Sequence, residues 1–66
     1  MIEIAFNGSW VSSSAKNVAE FVSEQSLPQT GVAVAVNGSV VPRSEWAITP
    51  LRSRDRVEVV TAASGG

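Results

Sequence analysis

The 66-residue chain is long enough for one domain with one thin core, because a domain this small buries only about 60% of its unfolded surface. Five basic and six acidic residues nearly balance, so we expect no general attraction to nucleic acid or to anionic membranes. The absence of cysteine and histidine excludes disulfides, thiol catalysis, Cys/His metal sites and a Ser-His-Asp triad. A carrier, a binding module or a subunit is therefore a better first hypothesis than a self-contained enzyme.

The N-terminal residues predict a β-hairpin. Large apolar side chains alternate with smaller or charged ones over residues 2–6, which indicates a strand with one apolar face. Asn7-Gly8 is a strong two-residue hairpin signal, so residues 9–11 should return antiparallel to the first strand. The run Ser12-Ser13-Ser14 is typical of a turn.

A helix is predicted from Val18 onward. Asn17 followed by Glu20 matches the capping-box pattern, with Asn in place of Ser or Thr. Pro28 should close the helix by about Ser26. The apolar stripe consists of Val18, Phe21 and Val22, and the water-facing side consists of Glu20, Ser23 and Glu24.

The second half of the chain predicts three more strands. Residues 32–36 alternate valine and alanine, which fits a central strand covered on at least one side. Asn37-Gly38 repeats the hairpin signal, and Val40-Val41 begins a short return strand that Pro42 ends or confines to an edge. Strand alternation resumes over residues 56–61.

These elements predict an α+β fold, in which one main helix packs on one face of a mixed sheet of about five strands. Residues 44–46 are expected to form one helical turn. We expect the domain to cover residues 1–62 and residues 63–66 to form a flexible C-terminal tail. The chain lacks a signal-peptide pattern and any apolar run long enough for a membrane span, so we expect a cytoplasmic protein.

The tail ends in Gly65-Gly66, which by themselves have two bland explanations, a frayed terminus or a remnant of a linker. The chemistry that needs such a tail is acyl activation, in which a carboxylate attacks ATP and a sulfur nucleophile displaces the adenylate. Glycine suits this chemistry, because residues without Cβ can thread a narrow channel and leave the last carbonyl open to attack.

The combination of these features resembles the ThiS family of thiamine-biosynthesis sulfur carriers, which have a ubiquitin-like β-grasp fold. The likeness covers essentially the whole chain. Its most specific internal match is Val41-Pro42-Arg43 followed by Trp46, within the block of residues 32–46. The C-terminal Gly65-Gly66 completes the match.

The resemblance implies that an E1-like enzyme of the ThiF type adenylates Gly66, using ATP and magnesium that it binds itself. A cysteine-desulfurase-type donor would then convert Gly66 to a thiocarboxylate, and a thiazole synthase of the ThiG type would take the sulfur. Gly65 and Ser64 would serve tail recognition. The chain would be a protein cosubstrate that binds no cofactor or metal and has no catalytic residue of its own.

Two departures from the family pattern stand out. Family members commonly carry glycine within the turn before the last strand, where this chain has Ser53-Arg54-Asp55. If that turn requires a positive φ, Arg54 is strained there. The second departure is Ala63-Ser64, which is smaller and more polar than expected before the glycines.

Four residues are candidates for partner docking: Val60, Arg54, Arg56 and Trp10. Val60 points away from the apolar face of its strand, and the arginines belong either to a solvated turn or to an edge that faces an acidic partner. Trp10 fits a core position and an interface position equally well, whereas Trp46 fits the core better.

Three alternative functions stay open. A sulfur carrier for molybdopterin synthase shares the fold, the Gly-Gly end and the activation chemistry, but that family tends to be longer and lacks the Val-Pro-Arg and Trp block. A ubiquitin-like modifier would join its terminal glycine to lysines of target proteins. An adaptor domain would carry Gly65-Gly66 incidentally.

Overall fold

The computed structural model describes residues 1–28 and 30–61 of the chain. It confirms the α+β class and the predicted order of two strands, one helix and three strands. Neither helix of this described part is long and apolar enough to cross a membrane. The elements are β1 (Ile2–Phe6), β2 (Ser9–Ser13), α1 (Val18–Glu24), β3 (Val32–Val36), β4 (Ser39–Val41), a 3-10 helix (Arg43–Ile48) and β5 (Arg56–Thr61).

The five strands form one mixed sheet in the order β2-β1-β5-β3-β4. β1 and β5 run parallel, and the other neighbouring pairs are antiparallel hairpins or returns. The strand predicted to be central, β3, does lie inside the sheet, but the middle position belongs to β5. The last described strand therefore lies between the two hairpins, with β1 on one side and β3 on the other.

The core lies between this sheet and α1. Its fully buried side chains come from both layers, and the ring of Phe21 meets the ring of Phe6 edge to face at 5.3 Å. Trp46 is 5% exposed, and its indole Nε1 donates to the main-chain oxygen of Val41 at 3.0 Å, which confirms its predicted core position. The side chains most deeply buried in the core are Ile4, Val18, Phe21, Val22, Val34 and Val57.

The N-terminus of α1 is capped by Asn17, as predicted. The Asn17 side chain accepts from the Glu20 main-chain N–H at 2.9 Å. The Glu20 carboxylate accepts in return from the N–H of Lys16 at 2.8 Å, one residue earlier than in a standard capping box. The cap satisfies two main-chain donors at the point where the chain enters the helix.

The C-terminus of α1 differs slightly from the prediction, because the helix ends at Glu24, before Pro28 can act on it. Ser26 has a φ of 57°, and its N–H bonds to the Ser23 carbonyl while the N–H of Leu27 bonds to the Val22 carbonyl, both at 3.0 Å. This is the Schellman arrangement, with serine where glycine is usual. The local hydrogen bonds therefore end the helix.

The serine run is a correction to the sequence analysis, because Ser12 and Ser13 belong to β2 and Ser13 is fully buried. The Ser13 hydroxyl donates to the Glu24 carboxylate, and the other Glu24 oxygen accepts from the Ser14 N–H at 3.0 Å. Glu24 is exposed, as predicted, yet it ties α1 to the end of β2. The bond from Ser13, followed by that from the Ser14 N–H, lowers the pKa of the Glu24 carboxyl below its ordinary value.

Candidate functional site

The predicted reactive residue Gly66 and the predicted recognition residues Gly65 and Ser64 lie outside the described residues. The boundary between the predicted domain and tail, residues 62–63, lies outside them too. The structure therefore defines the site from its base, which is the end of β5 at Thr61. What holds β5 there, and what surrounds it, decides where the tail begins.

β5 is joined to β1 by a short parallel ladder. The N–H of Ala5 donates to the Asp55 carbonyl at 3.0 Å, and the N–H of Asn7 donates to the Val57 carbonyl at 2.9 Å. The main chain of Asn7 then turns away with a φ of 48°. Its side chain stays on the ladder, where Oδ1 accepts from the Val59 N–H at 2.9 Å and Nδ2 donates to the Val59 carbonyl at 3.3 Å.

Asn37 plays a similar part on the opposite side of β5. Its N–H donates to the Arg56 carbonyl at 2.7 Å, and its Oδ1 accepts from the Arg56 N–H at 2.9 Å. Its Nδ2 donates to the Asp55 carboxylate at 3.1 Å. Asn37 also has a positive φ, of 52°, so each asparagine combines a turn conformation with a side-chain bond to β5.

Sequence reasoning assigned these two asparagines only to hairpin turns and missed their bonds to β5. A signal was present, because both turns carry Asn although Asp-Gly and Gly-Gly serve the same turn type. Only the asparagine amide offers a donor and an acceptor together, as a peptide group does.

The turn before β5 confirms the expectation about Arg54, whose φ is 78°. Its N–H donates to the Glu3 carbonyl at 2.6 Å, which fixes the turn against β1. The Asp55 carboxylate accepts from the Arg52 N–H at 2.9 Å, and this bond joins the two ends of the turn. A left-handed conformation costs a residue other than glycine about 1–2 kcal/mol, so the chain keeps arginine here against a local penalty.

Three of the residues predicted for docking, Trp10, Arg56 and Val60, lie on the sheet face opposite α1. The fourth, Arg54, lies beside this face in the turn before β5. Trp10 is 57% exposed and Val60 is 65% exposed, and Arg54 and Arg56 are exposed as well. The guanidinium carbon of Arg54 lies 5.8 Å from the centre of the Trp10 ring, within the range of a cation–π contact. Trp10 thus belongs to the surface and not to the core. The structure brings Trp10 and Arg54 together.

Strand alternation and register extend this open face across the sheet. Ala5 pairs with Trp10 on one side and Arg56 on the other, so these three residues lie in one row. Val60 pairs with Ala33 in a further row nearer the end of β5. We use "open face" below for the surface formed by Trp10, Ala5, Arg56, Glu58, Ala35, Val40, Val60 and Ala33.

One further recess, formed by described residues, has no lining that indicates a reactive site. It is an open depression of about 340 Å³ at the other end of β1, lined in part by Met1, Lys16 and Leu51. Two of its polar side chains, Ser13 and Ser14, are already bonded to Glu24. Within residues 1–28 and 30–61, no group of three Asp, Glu, His or Cys side chains is placed to hold a metal ion.

The protein has a five-stranded mixed sheet with one α-helix on one face, and its last described strand lies in the middle of the sheet. This arrangement defines a ubiquitin-like β-grasp domain. The model of the ThiS family matches residues 2–66, and the chain belongs to that family. Among solved structures it is similar to the thiamine biosynthesis protein (ThiS) of Geobacter metallireducens, with a TM-score of 0.85 and 28% identity. That match covers 98% of this chain and 100% of the other. A search of curated proteins gave no significant match.

Proposed function

We propose that this chain is a sulfur carrier of thiamine biosynthesis and that its reactive group is the carboxylate of Gly66. The observation that carries the proposal is the family match, which runs through the terminal glycines and is supported by a structural likeness over nearly the whole chain. The chain would act as a protein cosubstrate, with the chemistry supplied by partner enzymes.

The proposed reaction begins when a carboxylate oxygen of Gly66 attacks ATP in an E1-like enzyme of the ThiF type. Pyrophosphate leaves, and the product is an acyl-adenylate. The outer sulfur of a persulfide on a cysteine-desulfurase-type donor then attacks the carbonyl carbon and displaces AMP, which gives an acyl disulfide. A partner thiol attacks the donor's cysteine sulfur, forms a disulfide with it and releases the thiocarboxylate. A thiazole synthase of the ThiG type receives the sulfur. ATP and magnesium belong to the activating enzyme.

The chain itself contributes a tethered carboxylate whose distance from a folded base has an upper limit. Five residues, 62–66, follow Thr61, and a fully extended chain of that length spans at most about 18 Å. Gly65 and Gly66 add no side chain at the reacting end, so a narrow active site can close around them. Holding the carboxylate in this way raises its effective concentration at each partner.

Intact mass spectrometry tests the proposal most directly. The chain is incubated with ATP, a ThiF-type enzyme and a cysteine-desulfurase-type sulfur donor, and we expect one oxygen to be exchanged for sulfur at Gly66. Omission of ATP is the control and should leave the mass unchanged. An unchanged mass with a competent activating enzyme would refute the carrier function, and high-mass conjugates in cells would favour a ubiquitin-like modifier instead.

We further propose that the open face, together with Arg54, docks the activating enzyme. Trp10 and Val60 supply exposed apolar area, and Arg54 and Arg56 supply charge for acidic groups on the partner. Tryptophan and arginine are the residues most enriched at binding hot spots. A strained Arg54 whose guanidinium lies over an exposed ring is consistent with a role that compensates for its conformational cost.

Substitution of Arg54 separates docking from stability. Arg54→Gly and Arg54→Ala both remove the guanidinium, so both should weaken binding to the ThiF-type enzyme by roughly five- to tenfold. Glycine alone accommodates the φ of 78°, so the Gly variant should be more stable than the Ala variant by about 1 kcal/mol. Titration calorimetry and urea denaturation measure the two effects.

Arg43→Ala is the matched control, because it removes one exposed positive charge on the 3-10 helix. It should leave binding nearly unchanged. If the Arg54 variants bind as well as the Arg43 variant does, Arg54 has no part in docking.

A further inference from the structure

We infer that Asn7 is a positioning residue for the reactive tail, a role that rests on the proposed function. Its side-chain amide takes the place of a strand beside Val59 and fixes the last part of β5 from which the tail continues. Asn7 lies in a turn that is remote in sequence from the C-terminus, yet it would control where the tail leaves the domain.

The geometry of the ladder supports this role. In a continued parallel ladder, the main-chain carbonyl of residue 7 would accept from the Val59 N–H, and the N–H of residue 9 would donate to the Val59 carbonyl. The positive φ of Asn7 directs the main chain into the hairpin instead. Oδ1 and Nδ2 of Asn7 supply the missing acceptor and donor at 2.9 and 3.3 Å. The amide thus extends β1 by one peptide group.

The position of this contact connects it to the tail. Val59, Val60 and Thr61 pair with β3 on one side, through Val34, Ala33 and Val32. On the other side, the pairing with β1 stops at Val57, and in the part of the chain that the structure describes Asn7 provides the last hydrogen bonds. Without the Asn7 amide, the final residues of β5 would be held along one edge only.

Loss of that contact should affect binding of the tail more than the chemical step. A loosened β5 end has to be ordered each time the tail enters a partner, and immobilising flexible residues costs binding free energy. The carboxylate, once seated, has the same chemistry. The expected signature is therefore a raised KM for the carrier with an unchanged kcat.

Asn37 provides a matched control within the same molecule. It occupies the same kind of Asn-Gly turn with a φ of 52°, and it bonds to Arg56 at the start of β5. Glycine accepts a positive φ at either position, so Asn7→Gly and Asn37→Gly preserve the turns and remove only the amides. Both substitutions should lower the free energy of unfolding by similar amounts, but only Asn7 lies near the start of the tail.

The experiment compares adenylation kinetics of the whole chain with a ThiF-type enzyme for the wild type, Asn7→Gly and Asn37→Gly. We expect Asn7→Gly to raise the carrier's KM roughly tenfold at constant kcat, and Asn37→Gly to change KM less than about twofold. Amide hydrogen exchange on the carrier alone should become faster at Val59 and Val60 in Asn7→Gly and stay as in the wild type in Asn37→Gly. Asn7→Asp keeps the acceptor for Val59, so its KM should lie between those of Asn37→Gly and Asn7→Gly. It replaces Asn7→Gly in the comparison if the glycine variant does not fold.

Three results would overturn the inference. Equal KM values for the two glycine variants would remove the positioning role and leave the carrier function intact. Unchanged exchange at Val59 and Val60 in Asn7→Gly would show that the amide does not hold this end of β5. A wild-type chain that no activating enzyme adenylates would overturn the proposed function, and the positioning role with it.

Discussion

Deletion of Gly65-Gly66 is expected to abolish thiocarboxylate formation completely while the free energy of unfolding stays the same. The deletion moves the terminal carboxylate back by two residues. The shortened tail then ends in Ser64, which carries a side chain at the reacting end. Among the described residues, every strand, both helices and the whole core lie within residues 2–61, so the deletion removes no described packing contact. Mass spectrometry after activation, together with urea denaturation, measures both quantities.

Ala63→Ser is the matched control for this deletion, since it changes the same segment without altering its length, its recognition residue Ser64 or its terminal glycines. It should retain conversion, with at most a modest change in rate. A deletion variant that still accepted sulfur, or still supported thiamine synthesis in cells, would contradict the carrier mechanism and favour an adaptor domain with incidental glycines.

The Phe21→Ala variant is expected to be largely unfolded at room temperature. Phe21 is fully buried, and its ring packs edge to face on Phe6 at 5.3 Å. Removing a buried phenylalanine costs about 3–5 kcal/mol, which combines the lost transfer free energy with the cavity left behind. Because a core in a domain below about 70 residues rarely supplies more than about 3–5 kcal/mol, one such cavity is enough to remove the net stability. Circular dichroism and urea denaturation test this.

Val40→Ala is a suitable comparison, because Val40 lies on the open face and is 71% exposed. Its loss should change stability by less than about 0.5 kcal/mol, the usual range for surface substitutions. If Phe21→Ala lowered the free energy of unfolding by less than about 1 kcal/mol, the packing of α1 on the sheet would not be the main source of stability.

The elements whose signals are local can be predicted from the sequence alone. Two Asn-Gly pairs defined two hairpins, Asn17 and the stripe around Phe21 defined the helix, and the alternation over residues 56–61 defined the last strand. Each signal depends on residues within a few positions of one another, where turn and cap chemistry are decided. The family pattern raised the question of a positive φ at Arg54, and the structure answers it with a φ of 78°.

The contacts between these elements depend on the three-dimensional fold. The Asn7 amide bonds to a residue 52 positions away, and the Ser13 hydroxyl bonds to Glu24 across 11 positions, so no local pattern contains these pairs. The middle place of β5 depends on how both hairpins pack beneath α1, and the contact of Arg54 with Trp10 follows from that arrangement. The terminal glycines were evident in the sequence, whereas the base from which they extend is set by the fold, because side-chain amides from two distant turns hold the last strand in place.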